Sequence, residues 1–139
     1  MVRIGIIQYG LWPSKESQLA YGVKHEYETQ LESVLSWRSS IIDLKEVKAG
    51  DFVGYGTSFL AETDMKIASV PVGYGYGFSR SLSNIGRVLV NGKRLSVVGT
   101  VNMNMFLIDV TNIDVKIGDA VTIIGKDGEQ AINVSYFGN

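Results

Sequence analysis

From Leu31 to the end of the chain, short β-like runs alternate with turn signals, and this repetition limits the fold more than any other feature. Asn91-Gly92 predicts a type I′ hairpin, because both central positions of that turn need a positive φ. Lys126-Asp127-Gly128-Glu129 predicts a second hairpin. We therefore expect residues 31–139 to form an all-β barrel or sandwich without a long helix. The runs are SVLSWRSSIIDLKEV, DFVGYG, KIASVPV, GRVLV, KRLSVVGTV, MFLIDV, VKIGDAVTIIG and QAINVSYF.

The first thirty residues have a different texture. Residues 2–10, VRIGIIQYG, form a nearly continuous apolar run that ends in Gly, which predicts a strand buried on both faces, as in a parallel sheet. Residues 11–30 mix Pro, Ser, Gly and charges without a period, which predicts a long connection. A connection of this length usually joins two units or has a function of its own.

Composition excludes several classes of function. The chain has 13 basic and 14 acidic residues and no Lys/Arg cluster, so neither nucleic acid nor an anionic membrane is an expected partner. It has no Cys and one His, which excludes thiolate and multi-His metal sites, and no metal is predicted. Without a long apolar segment or a signal pattern, the chain is expected to be soluble and cytoplasmic.

Two tyrosines, Tyr55 and Tyr74, each stand between glycines at the end of an apolar run, in GDFVGYGTSF and VPVGYGYGFSR. Such a phenol can be reached by a ligand, and it suits an acid–base group or a phosphate donor. Alternatively, the glycines mark bulges in a curved sheet and the tyrosines pack on it. The spacing of the glycines in residues 73–77 is not that of a dinucleotide-binding loop.

Arg3 and the segment Asn102-Met103-Asn104 are further candidates. Arg3 lies inside an apolar run, where a charge needs a partner, so a structural salt bridge and a ligand contact are both open. Asn102-Met103-Asn104 follows an apolar run and either presents backbone amides to an anion or forms a plain turn.

Six motifs occur in an order and spacing that resemble the C-terminal part of pyridoxal-phosphate-dependent alanine racemase: MVRIGIIQYGLWPS, EVKAGDFVGYGTSF, VPVGYGYGFSR, RVLVNGKR, VVGTVNMN and VKIGDAVTIIG. In that family an N-terminal (β/α)8 barrel carries the lysine that forms the Schiff base with the cofactor. A C-terminal β domain completes the active site across a head-to-tail homodimer. The resemblance implies that residues 1–12 are the last barrel strand, 13–30 a connection, and 31–139 the β domain, truncated at its C-terminal end.

The resemblance also implies roles for individual residues. Arg3 matches the arginine that hydrogen-bonds the pyridine nitrogen of the cofactor. Tyr55 matches the acid–base group on one face of the substrate α-carbon, opposite the lysine. Tyr74 matches a tyrosine that donates to the cofactor phosphate, and the Met103 backbone amide falls where the family holds the substrate carboxylate.

The sequence also departs from the family. The family commonly has Cys-Met-Asp at Asn102-Met103-Asn104 and GYADG at residues 73–77, so racemisation of serine or a larger amino acid remains an alternative to alanine. No lysine here sits in the context of the cofactor-binding lysine, so we expect a fragment, inactive alone, of an isomerase that supplies D-alanine for peptidoglycan. A rival from another class is a small β-barrel module that stacks a ligand on Gly-flanked aromatics, although the near-neutral charge disfavours nucleic acid.

Overall fold

The structure, a computed structural model, describes residues 35–54 and 59–133. The predicted barrel strand and connection at residues 1–12 and 13–30, together with Arg3 and Tyr55, lie outside these described residues. Within them, secondary structure consists of strands and two short 3₁₀ turns, which confirms the mainly β prediction. In the same ranges, no helix is long and apolar enough to cross a membrane.

The described strands form one antiparallel sheet. Its order is β1-β7-β4-β5-β6-β3-β2, and β8 pairs with β7. The two 3₁₀ turns lie between β3 and β4, at Tyr74–Tyr76 and Arg80–Leu82. The strands are β1 (Trp37–Ser40), β2 (Asp43–Val47), β3 (Met65–Val70), β4 (Arg87–Val90), β5 (Lys93–Val98), β6 (Phe106–Asp109), β7 (Ala120–Asp127) and β8 (Gln130–Ile132).

A two-residue corner closes this sheet on itself. β1 and β2 lie at opposite ends of the strand order, yet only Ile41 and Ile42 separate them in the chain. The Ile41 N–H donates to the Asp119 carbonyl next to β7 at 2.9 Å, and the Ile42 N–H donates to the Ser69 carbonyl of β3 at 3.0 Å. The run SVLSWRSSIIDLKEV, predicted as one β-like unit, is therefore two strands that join the ends of a curled sheet.

Both predicted hairpins are present. Asn91 and Gly92 have φ values of 50° and 76°, as a type I′ turn requires, and they connect β4 to β5. In the second hairpin Asp127 pairs with Gln130 across a turn centred on Gly128 and Glu129. Only Gly128 of that central pair has a positive φ, 63°, which is the pattern of a type II′ turn.

Three neighbouring strands, β3, β5 and β6, are buried on both faces. Their inward residues belong to the main core, which includes Ala68, Val70, Val97, Phe106 and Ile108. Their other face packs against a second cluster, formed by Ile67, Val98 and Leu107 with Val47, Val53 and Ala61. Residues 47–54 and 59–61 cover the outside of these strands, so apolar side chains such as Ile67, Val98 and Leu107 are buried on the outer face as well.

The covering segment contains the run DFVGYG, which the sequence predicted to be β-like. Its described residues form a small ladder of their own: Phe52 bridges to Leu60, and the Val53 N–H donates to the Phe59 carbonyl at 2.8 Å. The Ala61 N–H donates to the Asp51 carbonyl at 2.9 Å. This ladder holds Gly54, which directly precedes Tyr55 in the chain.

Inside the curled sheet, which we call the β-barrel of this chain, the rings of Phe78 and Phe106 stack with their centroids 4.3 Å apart and their planes 16° apart. Both side chains are fully buried. Phe78 directly follows the glycine-flanked residues 73–77, and Phe106 follows the turn at residues 102–105. The stack therefore ties these two surface segments to the same place in the core.

We predict that Phe106→Ala lowers the free energy of unfolding by about 3–5 kcal/mol, because it removes a buried ring, ends its stacking contact with Phe78 and leaves a cavity. Phe52→Ala is the matched control: its ring is 52% exposed. The control should cost about 1 kcal/mol or less. Urea unfolding of the two variants followed by tryptophan fluorescence compares them, and equal losses would show that the stack is not a main support of the fold.

Candidate functional site

Two segments that the sequence analysis singled out meet through their backbones. The Tyr74 N–H donates to the Asn102 carbonyl at 3.0 Å, and the Gly75 N–H donates to the Met103 carbonyl at 2.9 Å. The structure thus brings together four of the six predicted site residues, Tyr74, Asn102, Met103 and Asn104. The other two, Arg3 and Tyr55, lie outside the described residues.

The glycines around Tyr74 are explained by this close approach. A Cβ on Gly73 would lie 2.0 Å from the Asn102 carbonyl oxygen and 2.6 Å from the Met103 carbonyl carbon. A Cβ on Gly75 would lie 2.9 Å from the Met103 carbonyl oxygen. Gly73 has an extended φ of −149°, so space rather than backbone strain excludes a side chain there. Residues 74–76 form a 3₁₀ turn instead of the sheet bulge that was the alternative.

The Tyr74 side chain points away from the core. It is 47% exposed, and within residues 35–54 and 59–133 it forms no hydrogen bond. The neighbouring Tyr76 is 65% exposed. Neither ring packs into the barrel, and the phenol of Tyr74 is available to donate to a ligand.

The turn at Asn102–Asn104 presents unused backbone donors. It is closed by the Asn102 N–H, which donates to the Met105 carbonyl at 2.9 Å. Met103 is 56% exposed, and Asn104 is exposed as well. In the described part of the chain, the N–H groups of Met103 and Asn104 have no hydrogen-bond partner. Two adjacent free N–H groups on an exposed turn suit a carboxylate or another small anion.

The backbone that leads into this turn also contacts the other glycine-flanked segment. Gly54 has a φ of 81°, and a Cβ built on it would lie 3.9 Å from the Gly99 Cα and 3.6 Å from Leu107 Cδ1. Gly99 is three residues before Asn102 in the chain. The segment 99–104 therefore lies beside Gly54 at its first residue and bonds to the Tyr74 turn near its end.

Two residues that the sequence analysis missed hold this backbone. The Gly99 N–H donates to Asn84 Oδ1 at 2.6 Å, and the Val101 N–H donates to Ser83 Oγ at 2.8 Å. Asn84 has a φ of 61°, a conformation that Asn tolerates better than most residues. The dipeptide Ser83-Asn84 is a turn signal in the sequence. That signal does not reveal that the two side chains bond to Gly99 and Val101, which follow β5.

Other surface features lie elsewhere. A groove of about 270 Å³ runs along β2 and β3, and one of about 420 Å³ lies beside residues 59–65. Among the residues that the structure describes, no group of His, Asp and Glu side chains could hold a metal ion. Of the predicted site residues that the structure describes, Tyr74, Met103 and Asn104 are exposed, and a second surface would have to cover them to exclude water.

Comparisons with known proteins identify the family to which this sequence is similar. Residues 34–138 match the family described as "Alanine racemase, C-terminal domain". The alanine racemase of Leptospira interrogans serovar copenhageni is 44% identical over 133 residues, which are 95% of this chain and 34% of that protein. The chain thus spans about a third of the length of such relatives.

Solved structures share the fold. The alanine racemase from Bacillus anthracis with bound L-Ala-P has a TM-score of 0.83 and 37% identity, over 98% of this chain and 33% of that one. The alanine racemase from Bartonella henselae with covalently bound pyridoxal phosphate has a TM-score of 0.73 and 33% identity, over 88% of this chain and 32% of that one. Sequence and structure agree that the chain belongs to the alanine racemase family, in which residues 34–138 form the C-terminal domain.

Proposed function

We propose that this chain is the C-terminal part of a pyridoxal-phosphate-dependent racemase that interconverts L- and D-alanine. In that role it contributes the substrate side of an active site in a cytoplasmic homodimer, and its D-alanine feeds peptidoglycan synthesis. The single observation that carries the proposal is the contact of residues 73–75 with Asn102 and Met103. This contact joins the turn that carries an exposed phenol to the turn that carries two free backbone N–H groups.

The free N–H groups of Met103 and Asn104 are the proposed site for the substrate carboxylate. Backbone amides aimed at one point attract a negative charge without adding a counter-charge of their own. The side chains of Asn102 and Asn104 are neutral, so neither repels a carboxylate as the Asp common in the family would. A small amino acid fits such a site because only its carboxylate needs a contact there.

Tyr74 fits a role in holding the cofactor. Its exposed phenol is a donor that suits a phosphate oxygen, and it stands on a turn fixed by two backbone hydrogen bonds. Arg3, by resemblance, would donate to the ring nitrogen and leave it unprotonated, because a guanidinium does not readily give up a proton. When bound, the cofactor supplies an electron sink for negative charge at the substrate α-carbon.

Tyr55 is proposed to move the proton at that α-carbon. Racemisation needs two acid–base groups on opposite faces of the carbon, one to remove the proton and one to return it. The phenol of Tyr55 would serve one face and the lysine of the family's barrel the other. Gly54, beside Gly99, sets the start of the Tyr55 segment next to the backbone that leads to Met103.

A partner subunit would complete this site. Tyr74 and Met103 are 47% and 56% exposed, so water reaches the proposed contacts with cofactor and substrate. The barrel of a second subunit, covering this face, would exclude that water and strengthen each polar contact. The isolated chain is accordingly expected to racemise nothing.

We predict that Tyr55→Phe slows racemisation roughly 10²–10⁴-fold, because it removes one of two acid–base groups. The host for the test is a chimera in which this chain replaces the matching third of the Leptospira interrogans racemase. Exchange of the α-proton with deuterated solvent is measured from each enantiomer. Exchange from L-alanine should fall much further than exchange from D-alanine, since the lysine still serves the other face.

Tyr76→Phe in the same chimera is the control and should leave both exchange rates unchanged. Equal losses from both enantiomers for Tyr55→Phe, or none, would show that Tyr55 is structural. An unaltered chimera that binds pyridoxal phosphate but fails to racemise alanine would contradict the proposed function. Activity on serine but not alanine would correct the substrate.

We predict that Tyr74→Phe weakens binding of pyridoxal phosphate roughly 10- to 100-fold, the usual effect of losing one hydrogen bond to a charged group. The dissociation constant is obtained by titrating the cofactor-free chimera with pyridoxal phosphate and following absorbance. Tyr76 stands between glycines of the same turn and is more exposed, so Tyr76→Phe should bind as the unaltered protein does. Equal affinities for the two variants would remove Tyr74 from the cofactor site.

The homodimer predicts complementation between two inactive variants. One chimera carries Tyr55→Phe, and the other lacks the cofactor-binding lysine of the host barrel. If each site combines Tyr55 of one subunit with the lysine of the other, random mixed dimers restore about a quarter of the sites, because half the dimers are mixed and each has one intact site. Mixing after mild dissociation, followed by an activity assay, measures this. No recovery in proven mixed dimers would place both groups on one subunit.

A further inference from the structure

We propose that Ser83 and Asn84 are positioning residues that fix the backbone at Gly99–Val101, and with it the free N–H groups of Met103 and Asn104. Neither residue touches those two N–H groups, so they act only through the chain between. The hydrogen bonds of Ser83 and Asn84 to Val101 and Gly99, which we call the clamp, are contacts in the structure. Their link to substrate binding rests on the proposed function.

Asn84 forms hydrogen bonds with both backbone polar groups of Gly99. Asn84 Oδ1 accepts from the Gly99 N–H at 2.6 Å, and the Asn84 N–H donates to the Gly99 carbonyl at 3.2 Å. Gly99 is itself buried and has a φ of 76°. One side chain and one backbone N–H thereby satisfy both polar groups of a buried residue, where an unpaired group would be costly.

Ser83 makes a second connection two residues further on. Its Oγ accepts from the Val101 N–H at 2.8 Å and donates to the Arg80 carbonyl at 2.6 Å. The hydroxyl therefore joins the 3₁₀ turn Arg80–Leu82 to Val101, whose side chain is fully buried. A hydroxyl that both accepts and donates is fixed in orientation, and so is the peptide that it holds.

The clamp holds a segment between β5 and β6 that forms no strand pairing. β5 ends at Val98 and β6 begins at Phe106, so residues 99–105 lie outside the strand ladders. Within this gap, Gly99 approaches Gly54, and the carbonyls of Asn102 and Met103 meet the Tyr74 turn. A shift at Gly99 or Val101 would change the distance between Gly54 and the Met103 N–H group.

Three substitutions separate positioning from general stability. Asn84→Gly removes the Oδ1 acceptor while keeping a residue that accepts a positive φ. Asn84→Asp keeps an acceptor oxygen and should rescue. Asn112→Gly is the matched control, since Asn112 also has a φ of 61°, is exposed, and within the described ranges forms no side-chain hydrogen bond.

The first measurement is amide hydrogen exchange and amide NMR shifts in the 139-residue chain. Asn84→Gly should speed exchange at Gly99 roughly two- to tenfold relative to Asn112→Gly, as expected for one lost hydrogen bond, and Ser83→Ala should do the same at Val101. Both variants should shift the Met103 and Asn104 amide resonances, and Asn84→Asp should return them. Ser83→Ala gives the answer if Asn84→Gly does not fold.

The second measurement is steady-state racemisation by the chimera. Asn84→Gly should raise the KM for L-alanine several-fold with a smaller change in kcat, whereas Asn112→Gly should change neither. The proposal would be overturned if amide exchange at Gly99 and Val101, and the Met103 and Asn104 resonances, matched those of Asn112→Gly. A confirmed clamp with an unchanged KM would overturn its link to substrate. An inactive unaltered chimera would instead count against the proposed function, and the exchange result would still decide the clamp.

Discussion

The stack of Phe78 on Phe106 is the contact on which the rest of the site depends. The two rings lie 4.3 Å apart inside the barrel, and each one ends a surface segment that carries predicted site residues. A turn whose last residue is a buried ring cannot slide along the surface without opening the core. The core thus fixes the Tyr74 turn and the Asn102–Asn104 turn relative to each other, and the backbone hydrogen bonds between them follow from that placement.

Apolar side chains on both faces of β3, β5 and β6 explain the position of Gly54, which precedes Tyr55 in the chain. Residues 47–54 and 59–61 are held on the outside of these strands by Val47, Val53 and Ala61, which pack on Ile67, Val98 and Leu107. This packing leaves Gly54 beside Gly99. The same apolar outer face that needs covering therefore determines where Gly54 lies, so the core and the residue that precedes Tyr55 share one constraint.

Local rules predicted the hairpins and the mainly β fold, because Asn91-Gly92 and the spacing of the runs act over a few residues. The sequence did not show that Ile41 and Ile42 turn a corner, because that depends on pairing with β3 and β7 at once. Of the two explanations left open for Gly73 and Gly75, the sheet bulge is wrong, since their need for space comes from residues far along the chain. Ser83 and Asn84 were missed for the same reason: their partners are distant.

A site built from backbone donors depends on shape more than on the side chains beside it. The N–H groups at residues 103 and 104 belong to the backbone, so an Asn in place of the family's Cys or Asp removes no donor from the proposed carboxylate site. A change in the path of the backbone would instead turn these two N–H groups away from the site. That path is set by the absence of a Cβ at Gly73 and Gly75 and by the hydrogen bonds that hold residues 99–101. The departure from the family at residue 104 therefore bears on the charge near the proposed carboxylate site, whereas Gly73 and Gly75 allow the close approach of the two turns.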